Sequence, residues 1–215
     1  MRNIKIAPGE YYHIYNRGMS KQNIFLDDSD RIRFLFCLLY FQSDYTFNNL
    51  SFYTNYFKKH KKFNLSKRTL SDIVLNRSVG LANFTMMPNH FHMTVLEVKE
   101  KGIATYMQRV LNAYTKYFNT KYKKSGHLLQ GPYQAVHVED NEQLLYLSAY
   151  IHKNPKEIVG EKWQKYFWSS YQDYVLGNRW PGVLINSIIT EQFDSKNTYS
   201  NFVKKSTAKD SSDNK

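Results

Sequence analysis

At residues 78–98 the chain reads SVGLANFTMMPNHFHMTVLEV, two strand-like runs around a short break. The runs Ser78–Met87 and Phe91–Val98 are rich in apolar and β-branched residues, which predicts two strands. Only Pro88 and Asn89 clearly separate them. Antiparallel strands can be joined by a two-residue turn, whereas parallel neighbours need a crossover of a dozen or more residues. The stretch therefore predicts an antiparallel hairpin.

The segments on either side of this hairpin complete a pattern of strands and helices. The order is strand, helix, strand, strand, helix, strand, helix. Its first six elements match a ferredoxin-like, split βαβ sandwich, an α+β fold with one antiparallel sheet and helices on one face. The further elements are predicted as a strand at 10–16, a helix from about Asp30 to Gln42, a helix at 102–121, a strand at 132–138 and a helix over 144–154.

The length of 215 residues suits one domain with additional segments. We predict a single domain over residues 1–180 and a C-terminal extension over 181–215. Because the chain is polar and rich in Ser, Lys and Asp from about residue 195, that part is predicted to be disordered. A basic insertion at about 43–70 contains KKHKKFNLSKR at 58–68. It is either a solvated surface segment or an arm that contacts phosphates.

The overall charge indicates a polyanionic partner. Lys and Arg number 30 against 18 Asp and Glu, which gives a formal net charge of +12, and 16% of the residues are aromatic. Cations attract phosphates and aromatic rings stack on unpaired bases, so this composition suits single-stranded nucleic acid. The plainer alternative is an ordinary basic globular protein that is rich in tyrosine.

The composition also excludes several classes of protein. Cys37 is the only cysteine, which excludes an intrachain disulfide, a Cys-rich zinc site and an iron–sulfur cluster. It lies in an apolar run, which favours a core residue over a nucleophile, and it fits a reducing compartment. The apolar stretches are far shorter than the ~20 residues of a membrane helix. We therefore expect a cytoplasmic protein without a membrane segment.

A pair of histidines occurs near the start of the second hairpin strand. His90 and His92 are two residues apart, so a strand places both imidazoles on one face, opposite Phe91 and Met93. Two such side chains can share a divalent metal. The alternative interpretation is a pair of half-exposed strand histidines without a ligand.

The helix predicted over LLYLSAYIHKN carries a second polar group. Tyr146, Tyr150 and Asn154 are spaced i, i+4, i+8 and therefore share one helix face. The alternative is a structural tyrosine with an asparagine that caps the helix before Pro155. His152 lies on another side of the helix, which predicts a residue at the surface or in contact with DNA. A loop at 125–133, SGHLLQGPY, either approaches a phosphate or forms a plain turn.

The motifs occur together in one order over about residues 8–175. They are His-hydrophobe-His after Pro-Asn, a Gly-His…Gln-Gly loop, Tyr-Ile-His-x-Asn-Pro and WSSYQDY at 168–174. This arrangement resembles the single-tyrosine HUH transposases of bacterial insertion sequences, and above all their REP-associated branch. The resemblance implies cleavage and rejoining of single-stranded, hairpin-containing DNA through a 5′-phosphotyrosine intermediate.

The resemblance also implies a role for each residue of the candidate site. His90, His92 and Asn154 would bind Mg²⁺, with Mn²⁺ as a substitute, and Tyr150 would be the nucleophile. Relatives commonly have Gln at the position of Asn154, and Gly-Arg-Phe where this chain has Gly131-Pro132-Tyr133. Imidazole ligands by themselves favour Zn, Ni or Cu, so the choice of Mg²⁺ comes from the resemblance.

Other functions stay open at this point. One alternative is a protein that binds DNA hairpins and has lost its chemistry. Another is a metal-dependent phosphodiester hydrolase that activates water and uses Tyr150 only structurally. Both a monomer and a homodimer are compatible with the sequence, and the long segment after Asn154 favours the monomer. Arg17 and Lys21 are among the candidate DNA contacts.

Overall fold

The computed structural model describes residues 5–207 and contains a four-stranded antiparallel sheet with the strand order β2-β3-β1-β4. The strands are β1 (Tyr11–Arg17), β2 (Val79–Met86), β3 (His90–Glu97) and β4 (Gln134–His137). The helices are α1 (Asp28–Tyr40), α2 (Leu50–His60), α3 (Lys67–Leu75), α4 (Gly102–Tyr122), α5 (Asn141–Lys153), α6 (Lys156–Val159), α7 (Tyr171–Val175), α8 (Ser187–Thr190) and α9 (Lys196–Lys205). Short 3₁₀ segments cover Met19–Lys21 and Gly160–Lys165.

The predicted α+β, ferredoxin-like fold is confirmed. β2 and β3 form the expected antiparallel hairpin, in which Met86 lies opposite Phe91. β1 inserts between β3 and β4, which is the order that a split βαβ unit requires. The chain therefore builds its sheet from two interleaved halves rather than from neighbouring hairpins.

The two faces of the sheet carry different helices. Phe91 points toward α1, where its ring centroid lies 5.0 Å from that of Phe34. His92 points the other way and lies 5.4 Å, between ring centroids, from Tyr150 of α5. Helices thus cover both faces, which corrects the expectation of helices on one face. The reason is that the face of the hairpin that carries His92 is also buried, because α5 packs against it.

Capping fixes where the tyrosine-bearing helix begins. The carboxylate of Asp140 accepts a hydrogen bond from the backbone N–H of Gln143, 2.7 Å away, and so satisfies one of the free donors of the first turn. At the other end Asn154 is the C-cap, and Pro155 follows it. Proline has no backbone N–H to continue the ladder, so α5 ends there, as the sequence predicts.

The basic insertion is folded. Asn49 and Ser66 cap α2 and α3 through their side chains, and Phe57 of α2 is buried in the main hydrophobic core. The lysines at 58, 59, 61 and 62 are exposed. One side of the insertion is therefore attached to the core, while its basic residues face solvent.

The C-terminal extension contradicts the prediction of disorder from about residue 195. Ser195 caps α9, and Tyr199 and Val203 are 1% and 0% exposed. These two residues are four apart and so lie on one helix face, which is enough to attach an otherwise polar helix. The mostly polar composition of the segment conceals these two core-facing residues. Residues 208–215 of the predicted disorder lie outside the described residues.

Two expectations about composition can also be compared with the structure. Cys37 is fully buried, as predicted, and burial raises the pKa of its thiol to about 12. Over residues 5–207, every helix is too short or too polar to cross a lipid bilayer.

Candidate active site

The four residues that the sequence singles out lie in one cleft. His90 and His92 come from the start of β3, and Tyr150 and Asn154 come from the last turns of α5. The cleft has a volume of about 480 Å³. Its other lining residues are Tyr15, Asn16, Arg17, Gln130, Gln134 and Glu157.

β1 contributes residues that the sequence interpretation did not assign to the site. In the β1–β3 register Arg17 lies opposite His90, Tyr15 opposite His92 and His13 opposite Thr94. Opposed residues share a face, so these side chains belong to the histidine face of the sheet. The alternation in EYYHIYNR carries this signal, but it becomes readable only when the partner strand and its register are known. Arg17, predicted only as a DNA contact, lines the cleft itself.

His92 is held in place by a second histidine. Its Nδ1 lies 2.9 Å from Nε2 of His13, which is itself buried, and one of these two nitrogens donates to the other. This hydrogen bond occupies Nδ1 of His92 and leaves Nε2 as its atom for other ligands. Burial, together with the neighbouring His13, lowers the pKa of His92, so the ring is neutral near pH 7.

His90 is fixed in one tautomer. Its Nδ1 lies 2.6 Å from Oδ1 of Asn89, and an amide oxygen can only accept, so Nδ1 carries the hydrogen. Burial lowers the pKa of His90 to about 4, and the positive charge of Arg17 acts in the same direction. A neutral imidazole has a single N–H. The Nε2 atom of His90 therefore presents a lone pair to the cleft.

Asn154 faces that lone pair with an oxygen. Its Oδ1 lies 3.3 Å from Nε2 of His90, while its Nδ2 donates to the hydroxyl oxygen of Tyr150 over 3.4 Å. Two acceptors therefore face each other with no proton to share. Such a pair suits a cation, since adjacent ligands of a small octahedral ion lie about 3 Å apart. The asparagine, although shorter than glutamine, brings its amide oxygen next to His90.

The side chains of the cleft determine which kind of metal ion it could bind. Within the described residues, no three His, Cys, Asp or Glu side chains converge on one point. Two imidazoles and an amide line one cleft instead. These neutral ligands leave the charge of a divalent ion undiminished, whereas carboxylates would cancel part of it. The residues thus fit a divalent ion that acts on an anionic substrate.

His152 is not at the surface, which corrects the prediction. It is 0% exposed, and its ring nitrogens lie 2.6 Å from the hydroxyl of Tyr199 and 2.8 Å from Oγ of Ser170. Burial lowers the pKa of His152 to about 3, so the ring is neutral. It attaches α5 to α9 and to the segment before α7. His152 does lie on a different side of the helix from Tyr150, but the C-terminal segment covers that side.

The loop at 125–133 has the exposed histidine of the plain-turn alternative, and it contributes one side chain to the cleft. Its histidine, His127, is exposed, whereas Gln130 lines the cleft. The backbone carbonyl of Gly131 accepts a hydrogen bond from Nδ2 of Asn16 at 3.2 Å. The loop is therefore attached to the end of β1, beside the cleft.

Comparisons with known proteins agree with the fold and with the resemblance that the sequence motifs predict. The family model "Transposase IS200 like" matches residues 52–154, the segment that contains all four candidate residues. Among solved structures, a REP-associated tyrosine transposase bound to a REP hairpin aligns with a TM-score of 0.50 and 10% sequence identity, over 87% of this chain and 93% of that chain. No curated protein matches the sequence significantly. The predicted resemblance to this family is confirmed.

Proposed function

We propose that this chain, a relative of the IS200-like transposases, cleaves and rejoins single-stranded DNA with Tyr150 as the nucleophile. His90, His92 and Asn154 would hold the divalent metal, Mg²⁺ or, as a substitute, Mn²⁺. One observation carries the proposal. The lone pair of His90 Nε2 faces Oδ1 of Asn154 at 3.3 Å, and the amide of the same Asn154 donates to the Tyr150 hydroxyl.

Each group of the cleft then has a task. When bound, the metal would polarise the phosphate and neutralise the negative charge that develops on its oxygens. Asn154 orients the hydroxyl of Tyr150 by donating to its oxygen, and the positively charged Arg17 attracts the anionic strand. The neutral state leaves each histidine with one nitrogen lone pair, and in His90 that lone pair faces the cleft.

The reaction is a transfer of the phosphoryl group from sugar to tyrosine. The Tyr150 oxygen forms a bond to phosphorus, and the bond from phosphorus to the 3′ oxygen breaks. The phenol proton is lost to solvent and the 3′ oxygen takes up a proton, which leaves a 5′-phosphotyrosine and a 3′-OH. A later attack by a 3′-OH reverses these bonds and rejoins a strand without ATP, because the covalent intermediate retains the bond energy.

The packing of α5 supports action within one chain. Tyr150 lies against His92 of the same molecule, and buried His152 attaches α5 to the C-terminal segment. A helix held in this way has its tyrosine beside its own metal ligands. We therefore favour a monomer that cleaves in cis over a homodimer that exchanges the helix.

The test uses single-stranded hairpin oligonucleotides from the DNA that flanks the gene, labelled at the 5′ or the 3′ end. They are incubated with protein and Mn²⁺ or Mg²⁺ and analysed on a denaturing protein gel. We expect a shifted band that carries the label 3′ of the cut. Tyr150→Phe should abolish this band because phenylalanine has no nucleophilic oxygen, and EDTA should abolish it as well.

Tyr146 provides a matched control for that experiment. It lies one turn earlier on the same helix face and is 44% exposed, so Tyr146→Phe should keep the adduct. Cleavage that survives Tyr150→Phe and forms no adduct would establish a hydrolase that activates water. Binding without cleavage, on a set that includes the native flank, would establish a DNA-binding protein without this chemistry.

A further inference from the structure

A second cleft, of about 340 Å³, lies between α1, α2 and the Phe167–Trp168 segment. Its walls include Phe57, Phe167 and Trp168, and Lys58 and Lys61 lie at its side. It shares no lining residue with the cleft of Tyr150. The basic insertion, whose role the sequence left open, supplies one wall.

Trp168 is the accessible tryptophan of the chain. Trp163 and Trp180 are 2% and 4% exposed, whereas Trp168 is half-buried and lines the cleft. The ring of Phe167 lies 4.9 Å from it between centroids, and the guanidinium carbon of Arg31 lies 6.0 Å from its centroid. These neighbours hold the indole in place. An ordered, partly exposed aromatic ring is a platform on which a flat apolar group can stack.

The charge beside this platform is positive. Lys58 belongs to the last turn of α2, and Lys61 is the C-cap of that helix. Both lysines are exposed. Asp28 also lines the cleft, but its carboxylate lies 3.8 Å from Nη1 of Arg31, so that charge is compensated. The cleft combines an aromatic platform with unneutralised cations, the pairing that binds single-stranded nucleic acid.

The second cleft lies at the same end of the sheet as the tyrosine. The backbone carbonyl of Trp168 accepts a hydrogen bond from the N–H of Met86 at 2.9 Å. Met86 in turn lies opposite Phe91, the residue after His90. Two strand-to-strand spacings, about 10 Å, separate the Trp168 backbone from that of Phe91. The second cleft opens beside α1, so a DNA strand bound at His90 has to continue round this end of the sheet to reach Trp168.

We propose that this cleft binds an unpaired base of the DNA strand next to the cleaved phosphate. The base stacks on Trp168, and Lys58 and Lys61 contact adjacent phosphates. This inference rests on the proposed function, since it places single-stranded DNA at His90. It assigns the basic insertion as a phosphate-contacting arm rather than a merely solvated segment. A duplex does not fit, because its bases are stacked on one another and offer no free face.

The test measures binding of a fluorescein-labelled single-stranded oligothymidine to the full chain by fluorescence anisotropy, without metal so that no cleavage occurs. Stacking on an aromatic ring contributes about 1–3 kcal/mol per base, so Trp168→Leu should weaken binding by about five-fold or more. Trp168→Phe keeps a ring and should retain most of the affinity. Thermal melts followed by circular dichroism verify that each variant is folded.

The lysines are tested by the salt dependence of the same binding. The slope of log K against log salt changes by about 0.7 for each phosphate contact to a single strand. The double variant Lys58→Ala/Lys61→Ala should therefore lower the slope by about 1.4. Lys204→Ala/Lys205→Ala is the matched control, because these exposed lysines of α9 lie outside both clefts. It should leave the slope unchanged.

Several outcomes would overturn the inference. Unchanged affinity in folded Trp168→Leu, an unchanged slope in the Lys58/Lys61 variant, or equal competition by duplex DNA would each do so. If a Tyr150-dependent adduct forms while binding ignores these residues, only this inference fails. If binding depends on them but no hairpin gives an adduct, the base-binding cleft stands and the proposed nuclease fails.

Discussion

The two faces of the sheet contrast in chemistry although the same strands build them. On one face Phe91, Met93 and Val95 of β3 are buried in an apolar core against α1 and α4. On the other face, His92 and Thr94 alternate with them and are equally buried, under α5 and the C-terminal segment. Strand alternation thus separates the residues that stabilise the fold from those that form the site. The site therefore lies directly behind the apolar core.

The polar face has an energetic disadvantage that the apolar face does not share. The hydroxyls of Thr85 and Thr94 are buried and have no hydrogen-bond partner among the described residues. An unsatisfied buried polar group destabilises a protein by about 1–3 kcal/mol. Most of the stability of the sheet should therefore come from the apolar face. Substitutions on the two faces can test this difference.

The largest effect is expected from Met93→Ala on the apolar face. Met93 is fully buried, and truncation of such a side chain removes apolar burial and leaves a cavity, which should lower the free energy of unfolding by about 2–5 kcal/mol. Denaturant titration measures the change. Adduct formation by the protein that remains folded should be unaffected, because Met93 points away from Tyr150.

Thr94→Val is the matched control on the opposite face at the neighbouring position. It keeps the volume of the side chain and removes a hydroxyl without a partner, so stability should stay within about 1 kcal/mol of the wild type or rise. Equal destabilisation by both variants would contradict the expectation that the apolar face supplies most of the stability.

A smaller effect is expected from His13→Phe, which acts on the metal site. The variant keeps a ring of similar size but removes the hydrogen bond that orients His92. Loss of such a supporting partner typically lowers metal affinity about 10–100-fold. Titration with Mn²⁺, followed by calorimetry, measures the affinity.

His137→Phe serves as the control for that experiment. His137 lies on β4, outside the cleft, and pairs with Glu10 at 2.9 Å. The same chemical change should leave Mn²⁺ affinity at the wild-type value. If His13→Phe also binds Mn²⁺ normally, His13 does not position the ligand.

The smallest effect is expected where the C-terminal segment covers the polar face. Tyr199→Phe removes the hydroxyl next to His152 and leaves one nitrogen of a buried ring without its partner. The free energy of unfolding should fall by about 1–3 kcal/mol. Tyr171→Phe removes a less buried contact to Ser200 and should have a weaker effect. Thermal unfolding of both variants shows whether α9 stabilises the position of α5 or contributes little to the stability of the fold.

The candidate site was predictable to different degrees along the chain. His90 and His92 are two residues apart, and Tyr150 and Asn154 are four apart, so local periodicity alone places each pair on one face of its element. Only the family resemblance implied that the two pairs belong to one site. His13 was not predicted and Arg17 was predicted only as a DNA contact, because their position beside the histidines depends on the register between β1 and β3. The paired residues of β1 and β3 are about 80 positions apart, so no local sequence pattern reveals which of them lie opposite each other.

The sequence by itself determined the order of the four strands and of α1, α4 and α5, the antiparallel hairpin, the end of α5 at Pro155 and the two polar pairs. These follow from side-chain periodicity, turn length and the missing N–H of proline, all of which act over a few residues. The tertiary structure alone decided that α5 covers the second face, that His152 is buried, that α9 is ordered and that Trp168 lines a basic cleft. Those features depend on contacts between distant segments, whose burial energy outweighs the local composition.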